Sequence, residues 1–326
     1  MNKKEITKLI KEKEKRLKLE EYRTDFARFA EEQIKIVTKD ATQGFVPFKL
    51  NQSQKYITDK LSEQLETTGK VRAIILKARQ QGISTYCAGR VFWKTYFAQH
   101  TRSVVMAHDS ATSDALFTMS KNLIQNMEGE LKPAEERSNA KEIIIKTPAY
   151  RDKEAKGSYR LYTAGSPEAG RGTTPTIAHL SEIAFWQHDE KILAGLFQGI
   201  SQADGTEVIL ESTANGAQGE FYRLWKGAVN GENEYLPIFL PWFWTDEYRR
   251  AAPEGMELTN EESTLKEKFD LDEDQIYWRR LKIAESGELK FKQEYPSTAD
   301  EAFVVSGSNV FDVDKLDSLI PEAPLS

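Results

Sequence analysis

The chain has 326 residues, 39% of them hydrophobic, with a net charge of −6 and a single cysteine, Cys87. That apolar share suffices for one large or two modest cores, while one cysteine excludes an intrachain disulfide, a zinc knuckle and a Cys-Cys redox pair and fits a reducing, intracellular setting. The acidic balance excludes coating of nucleic acid by bulk charge, so any DNA contact has to be local.

The first residues, "MNKKEITKLIKEKEKRLKLEEYR", are too charged for a secretory segment, and no apolar run reaches the ~18 residues of a membrane span. The chain reads as soluble, with no membrane partner. Residues 1 to about 38 carry Ile6, Ile10, Leu17, Leu19, Phe26, Phe29, Ile34 and Ile36 among many Lys and Glu, a pattern of one or two exposed helices rather than core. From about residue 71 the texture changes to short β-branched runs. "VRAIIL" (71–76), "SVVMA" (103–107), "EIIIK" (142–146), "YRLYT" (159–163), "TIAHL" (176–180) and "TEVILES" (206–212) are the expected strands, several of them apolar enough to be buried on both faces of a mostly parallel sheet. Residues 84–99 and 110–128 have the length of intervening helices, and this alternation predicts an α/β domain with ligands at the carboxyl ends of its strands. After "LPIFLPWFWTDEYRR" (236–250) a small helical appendage is expected, with helix starts at Thr259 followed by Glu262 and at Asp270 followed by Glu273. The acidic stretch 261–274 reads as a solvated helix face.

The stretch "KARQQGIST" has the outline of a phosphate-binding loop, G-x-x-x-x-G-K-[ST], with its lysine displaced. Lys77 stands first, Ala78, Arg79, Gln80 and Gln81 fill the variable positions, and Gly82, Ile83, Ser84 and Thr85 follow. A lysine at the start of the loop can fold back over phosphates held by backbone N–H groups and a helix N-terminus, with Ser84 on Mg²⁺ and Arg79 bearing on the γ-phosphate. A ligand-free strand–turn–helix connection is the other reading. "TIAHLSEIAFW" ends a strand at Ser181 and Glu182, where an ATPase places a Mg²⁺-holding acid and then the glutamate that activates water. Glu182 fits the second role; Ser181 occupies the first as a weaker, indirect metal partner. "SPEAGRGTTP" presents Arg171, either as a solvated turn residue or as a finger reaching a neighbouring subunit. "ILESTANGAQGEF" offers Ser212, Thr213, Asn215 and Gly216 as an ordinary turn or a γ-phosphate sensor. "FVPFKLNQSQKYI" supplies Phe48 to pack on an adenine ring and Gln54 to read it. His100, His108, His179 and His188 lack metal-ligand spacing, and His179 reads as a packed residue. Trp186, Trp242 and Trp244 are assigned to packing.

The ordered set "FKLNQSQ", "KARQQGIST", "GRG", "HLSEIAFW", "ESTANG" and "QEYPSTADEAF" resembles the large terminase subunit of tailed bacteriophages, over about residues 45–311. The resemblance implies an α/β P-loop ATPase of the ASCE, RecA-like type, with an N-terminal helical arm (1–44), an ATPase core (45–245), a helical lid (246–310) and the start of a linker (311–326). It implies ATP and Mg²⁺ as cofactors, Lys77 as the loop lysine, Arg79 acting in cis, Arg171 in trans, Glu182 as catalytic carboxylate, Gln54 as adenine reader and 212–216 as coupling motif. Double-stranded DNA, a portal protein, a small terminase subunit and a homo-oligomeric, pentameric ring are the implied partners, in the cytoplasm of a bacterial host. The family continues into a nuclease domain, for which this chain is too short, so a fragment without nuclease activity is expected. Two other readings are a helicase-like remodeller and a degenerate P-loop module that assembles or binds DNA without turnover.

Overall fold

The computed structural model describes residues 2–39, 41–139, 141–164, 172 and 174–303. The chain opens with helices α1 (Lys3–Thr24) and α2 (Phe26–Gln33), a ribbon of strands β1 (Lys35–Val37) and β2 (Phe45–Pro47), and α3 (Gln52–Thr68). The alternating region follows as β3 (Val71–Lys77), α4 (Ile83–Phe97), β4 (Arg102–Ala107), α5 (Ser110–Gln125), β5 (Ala134–Ser138), β6 (Glu142–Lys146), β7 (Gly157–Thr163), β8 (Ile177–Ser181), α6 (Asp189–Gly199), β9 (Glu207–Ser212), α7 (Gly219–Val229) and β10 (Leu236–Leu240). Helices α8 (Asn260–Phe269), α9 (Glu273–Ser286), α10 (Glu288–Glu294) and α11 (Ala299–Ala302) complete the described chain.

Eight strands form one sheet in the order β10-β3-β9-β8-β4-β7-β6-β5, parallel from β10 to β7 and antiparallel at β6 and β5. All six expected strands are present. Those not anticipated lack a buried-strand pattern: β5, "AEERS", is exposed at every position, and β10 carries Pro237 and lies at the sheet edge, where a missing N–H costs no ladder bond. Alternation sends Ala73, Ile75, Ile177 and Ile209 into one core under α2, α3, α4 and α5, and Ile74, Leu76, Leu180 and Leu210 into a second under α6 and α7. Trp242, Tyr248, Trp278 and Phe291 form a third, smaller core among the C-terminal helices.

Three expectations are corrected. The N-terminal helices are exposed only at their beginning: Ile6, Ile10 and Leu17 face solvent, whereas Leu19, Tyr22, Phe26, Phe29 and Ile34 are buried. Phe26 packs on Tyr86 and Trp93, and Phe29 on Phe92, Tyr96 and Phe97, so α2 is a wall of the core that fixes α4. The second concerns Asp270, which starts no helix. It closes α8 in the left-handed region (φ 52°), and the capping box of α9 is formed by Asp272 and Gln275. Thr259 and Glu262 do form the box that starts α8. The acidic stretch is not wholly solvated, because Glu262 is buried and binds Arg280.

Beneath α4 a charge pair crosses the core. Glu207 at the start of β9 accepts from Arg90 Nε at 2.8 Å and from its Nη2 at 3.0 Å, with Lys94 as a further ion-pair partner, and both Glu207 and Arg90 are almost wholly buried. Burial alone would raise the Glu207 pKa; Arg90 and then Lys94 outweigh it and hold the carboxyl below its ordinary range. Removing one partner of such a pair leaves an uncompensated buried charge. Arg90→Met is therefore expected to lower the urea-unfolding free energy at pH 7 by about 3 kcal/mol, with much of it recovered in R90M/E207Q. Because the folded pKa of Glu207 lies below its unfolded value of ~4.3, its contribution is complete above that pH and is lost as pH falls through the folded value. The double variant is expected to show a flatter stability–pH curve below about pH 4 than the wild type.

Candidate functional site

The loop between β3 and α4 is shaped by amides. Gln81 accepts from the Ala78 N–H through Oε1 (3.1 Å) and donates to the Pro241 carbonyl through Nε2 (2.8 Å), tying the loop to the end of β10. Asn51 caps α3 and donates to the Gln81 carbonyl (3.1 Å), while Gln54 donates to the Gly82 carbonyl (2.9 Å). Gly82 lies in the left-handed region (φ 73°), and a Cβ there would sit 3.0 Å from Gln54 Nε2, so both backbone and space require glycine. Helix α4 begins directly after it with no side-chain cap on its first turn, Ile83–Ser84–Thr85, which leaves backbone N–H groups for an anion.

This turn floors a cleft of about 660 Å³ whose lining includes Lys77, Arg79, Ser84, Thr85, Glu182 and Thr245. In the order β3-β9-β8, the strand bearing the loop and the strand leading to Glu182 are separated by β9. Lys77 closes β3 with its side chain only 6% exposed and places its ammonium 2.7 Å from Glu182 Oε1 and 3.3 Å from Glu211 Oε2. Burial would lower its pKa; the attraction of Glu211 and then Glu182 exceeds that cost and keeps the ammonium above its ordinary range. Glu211, at 0% exposure, takes the Ser84 hydroxyl at 3.1 Å and lies 3.3 Å from His179 Nε2. Burial would raise its pKa, but Lys77, followed by His179, holds it below the usual carboxylate range. Glu182 itself sits in the left-handed region (φ 56°) immediately after β8, a conformation uncommon outside glycine, with its N–H donating to the Glu211 carbonyl at 2.8 Å.

The turn after β9 reaches the same carboxylate. Ser212 Oγ donates to Glu182 Oε2 (3.4 Å) and accepts from the Ala184 N–H (3.2 Å), and Asn215 donates to the Ala184 carbonyl (3.0 Å). Thr213 is buried, Gly216 turns the chain at φ 74°, and Gln293 of α10 donates to the Ala214 carbonyl (2.8 Å). The loop also touches this helix: Arg79 contacts Glu294 at 3.3 Å through its side chain and donates its N–H to the Glu294 carbonyl (2.9 Å).

Lys77, residues 79–85 and Glu182 thus line one cleft, with Ser212 buried behind it against Glu182. Arg79 turns toward Glu294, and exposed Gln80 adopts a left-handed backbone (φ 57°). Phe48 lines the cleft but is only 1% exposed, its ring edge lying against the bare Cα of Gly89, and Gln54 spends its amide on the loop and on its own helix cap. Ser181 is buried, and its hydroxyl has no hydrogen-bond partner. Arg171 lies outside the described residues. Glu211 is the member that motif reading passed over. Its signal was two acids four apart, Glu207 and Glu211, on one face of an otherwise apolar strand.

No family model and no curated protein matches the sequence. The fold, by contrast, matches solved structures. The ATPase domain of the large terminase of Thermus phage P74-26 has a TM-score of 0.54 at 15% identity over 77% of this chain and 94% of that one. The large terminase of bacteriophage HK97 has a TM-score of 0.56 at 16% identity, over 84% of this chain and 54% of that one. The large terminase of a thermophilic bacteriophage, in complex with ADP, gives 0.53 at 11%, over 81% and 57%. The matched part thus spans little more than half the length of the last two chains. This chain has the α/β fold of phage large-terminase ATPase domains.

Proposed function

We propose that this chain is the ATPase part of a motor that packages viral double-stranded DNA, hydrolysing Mg-ATP in the cleft above β3. The observation that carries the reading is Lys77 at the mouth of a phosphate-type loop, 2.7 Å from a carboxylate delivered by a separate strand. ADP in the large terminase of the thermophilic phage supports a nucleotide as the cleft's occupant. In this reading the uncapped turn 83–85 and the loop N–H groups bind phosphates, and Lys77 exchanges Glu182 for phosphate oxygens. Glu182, so released, orients the attacking water and accepts its proton. Ser84 is the hydroxyl that fits a divalent ion, and the unpartnered hydroxyl of buried Ser181 fits an outer contact to it. Mg²⁺ supplies neutralisation of phosphate charge when bound with nucleotide. Arg79, exposed and already lining the cleft, has only to leave Glu294 to turn its guanidinium to a phosphate, and Arg171 from a neighbouring copy would complete the charge balance in a ring, with a pentamer as the proposed assembly.

Ser212 bonds to Glu182, Asn215 to the Ala184 carbonyl and Gln293 of α10 to the Ala214 carbonyl, so the turn after β9 touches both the carboxylate and α10, which supports 212–216 as the coupling segment between hydrolysis and a lid of residues 246–310. DNA, a portal protein and a small terminase subunit are the partners such a motor needs, in the cytoplasm of a bacterial host.

Steady-state Mg-ATP hydrolysis should rise in specific activity with protein concentration and fall in Glu182→Gln by about 10²-fold or more. A Glu182→Gln chain with undiminished turnover would sink the mechanism. If Arg171 acts in trans, mixing Arg171→Ala with Glu182→Gln should restore activity that neither has alone, because some interfaces then pair an intact Glu182 with an intact Arg171. Strict additivity in the mixture would place Arg171 outside the site.

A further inference from the structure

The end of β8 carries no acid beside the metal-binding position: Ser181 stands there, buried, with a hydroxyl that has no hydrogen-bond partner. Its neighbour across the ladder is Glu211. Parallel strands β8 and β9 pair Ser181 with Glu211 directly, so the two side chains leave the same face of the sheet from adjacent strands, ~5 Å apart. That face is the one covered by α4, whose Ser84 donates its hydroxyl to Glu211 Oε1 at 3.1 Å, while Oε2 has the Lys77 ammonium at 3.3 Å but no hydrogen bond.

We infer that Glu211 supplies from β9 the carboxylate that position 181 lacks, as the positioning residue that holds Ser84, and through it the Mg²⁺ that accompanies nucleotide; this rests on the ATPase reading above. A hydroxyl that gives its proton to a carboxylate turns its lone pairs outward, toward the cleft, as a metal ligand must. Mg²⁺ needs only one or two protein groups when substrate phosphates supply the rest, so one carboxylate on the neighbouring strand meets the requirement. The alternative, that Glu211 serves only to balance Lys77 and hold the His179 ring, would make its loss felt equally with and without the metal.

The test is calorimetric binding of adenosine imidotriphosphate, an analogue that is not hydrolysed, to the 326-residue chain with Mg²⁺ or with EDTA. The wild type should bind more tightly with Mg²⁺, and Glu211→Gln should lose about tenfold or more of that gain while keeping most of its metal-free affinity. In S181D/E211Q, which returns a carboxylate to the same level and face of the sheet, the gain should come back. An unchanged gain in E211Q, or an equal loss in both conditions, overturns the inference. Where E211Q melts before titration, S181D/E211Q decides: a Mg²⁺-dependent gain supports the assignment and its absence overturns it. A wild-type chain that binds no nucleotide in either condition overturns the ATPase reading as well, whereas an E211Q chain equal to the wild type overturns this inference alone.

Discussion

An ammonium group sealed into a protein interior has to be matched by carboxylates, and the arrangement of this molecule around its cleft follows from that requirement at Lys77. The lysine is the last residue of a fully buried strand, and only a small part of its side chain meets the cleft. Glu182 and Glu211 meet it, each from a different strand, and each is held in turn: Glu182 by Ser212 and a left-handed backbone, Glu211 by Ser84 and His179. The three strand ends are thereby fixed at one level by their side chains as well as by their ladders. Moving any one of them out of register would leave a charge unpaired in the interior.

The sheet order makes this possible. With β9 inserted between β3 and β8, the loop lysine and the strand-end glutamate come from positions two strands apart, and their side chains reach across β9 to meet. The intervening strand ends at that same place, which is why a carboxylate on β9 falls beneath both the loop hydroxyl and the lysine. The Arg90–Glu207 pair repeats the device four residues earlier on the same strand and fixes α4, the helix whose first turn floors the cleft. On its outer side α4 is packed by the aromatic residues of α2.

Much of this was legible in the residues. Strands β3, β4, β8 and β9 announced themselves because burial on both faces demands apolar runs, β6 and β7 by their β-branched and aromatic residues, and the loop because Gly82 and Ser84 keep their spacing even with the lysine displaced. The helices of the N-terminus were read as exposed because their Lys and Glu outnumber their apolar residues; what periodicity underweights is that a helix needs only one narrow apolar stripe, here Phe26, Phe29 and Ala30, to become core. Asp270 was misread because an acid followed three residues later by glutamate is also what the end of one helix beside the start of the next looks like. Glu211 was hidden for a different reason. A glutamate at the end of an apolar run reads as the place where a strand meets solvent, and only the positions of α4 and β8 turn that solvent into protein.

The displaced lysine and the absent acid are then two sides of one substitution. A lysine within the loop would approach phosphates from the helix side and leave the floor of the cleft to an acid at the end of β8. Here the lysine rises from the floor itself, at the end of β3, and two carboxylates, Glu182 and Glu211, balance its charge. Glu211, between the two strands, meets both demands: it balances Lys77 and accepts the hydroxyl of Ser84. An aspartate at 181 would add a third carboxylate around one ammonium and raise the repulsion met by an incoming polyanion. With serine at that position, one buried cation faces two carboxylates, and in the proposed reaction further positive charge, from Arg79 or from a metal bound with nucleotide, would be the natural complement of phosphate.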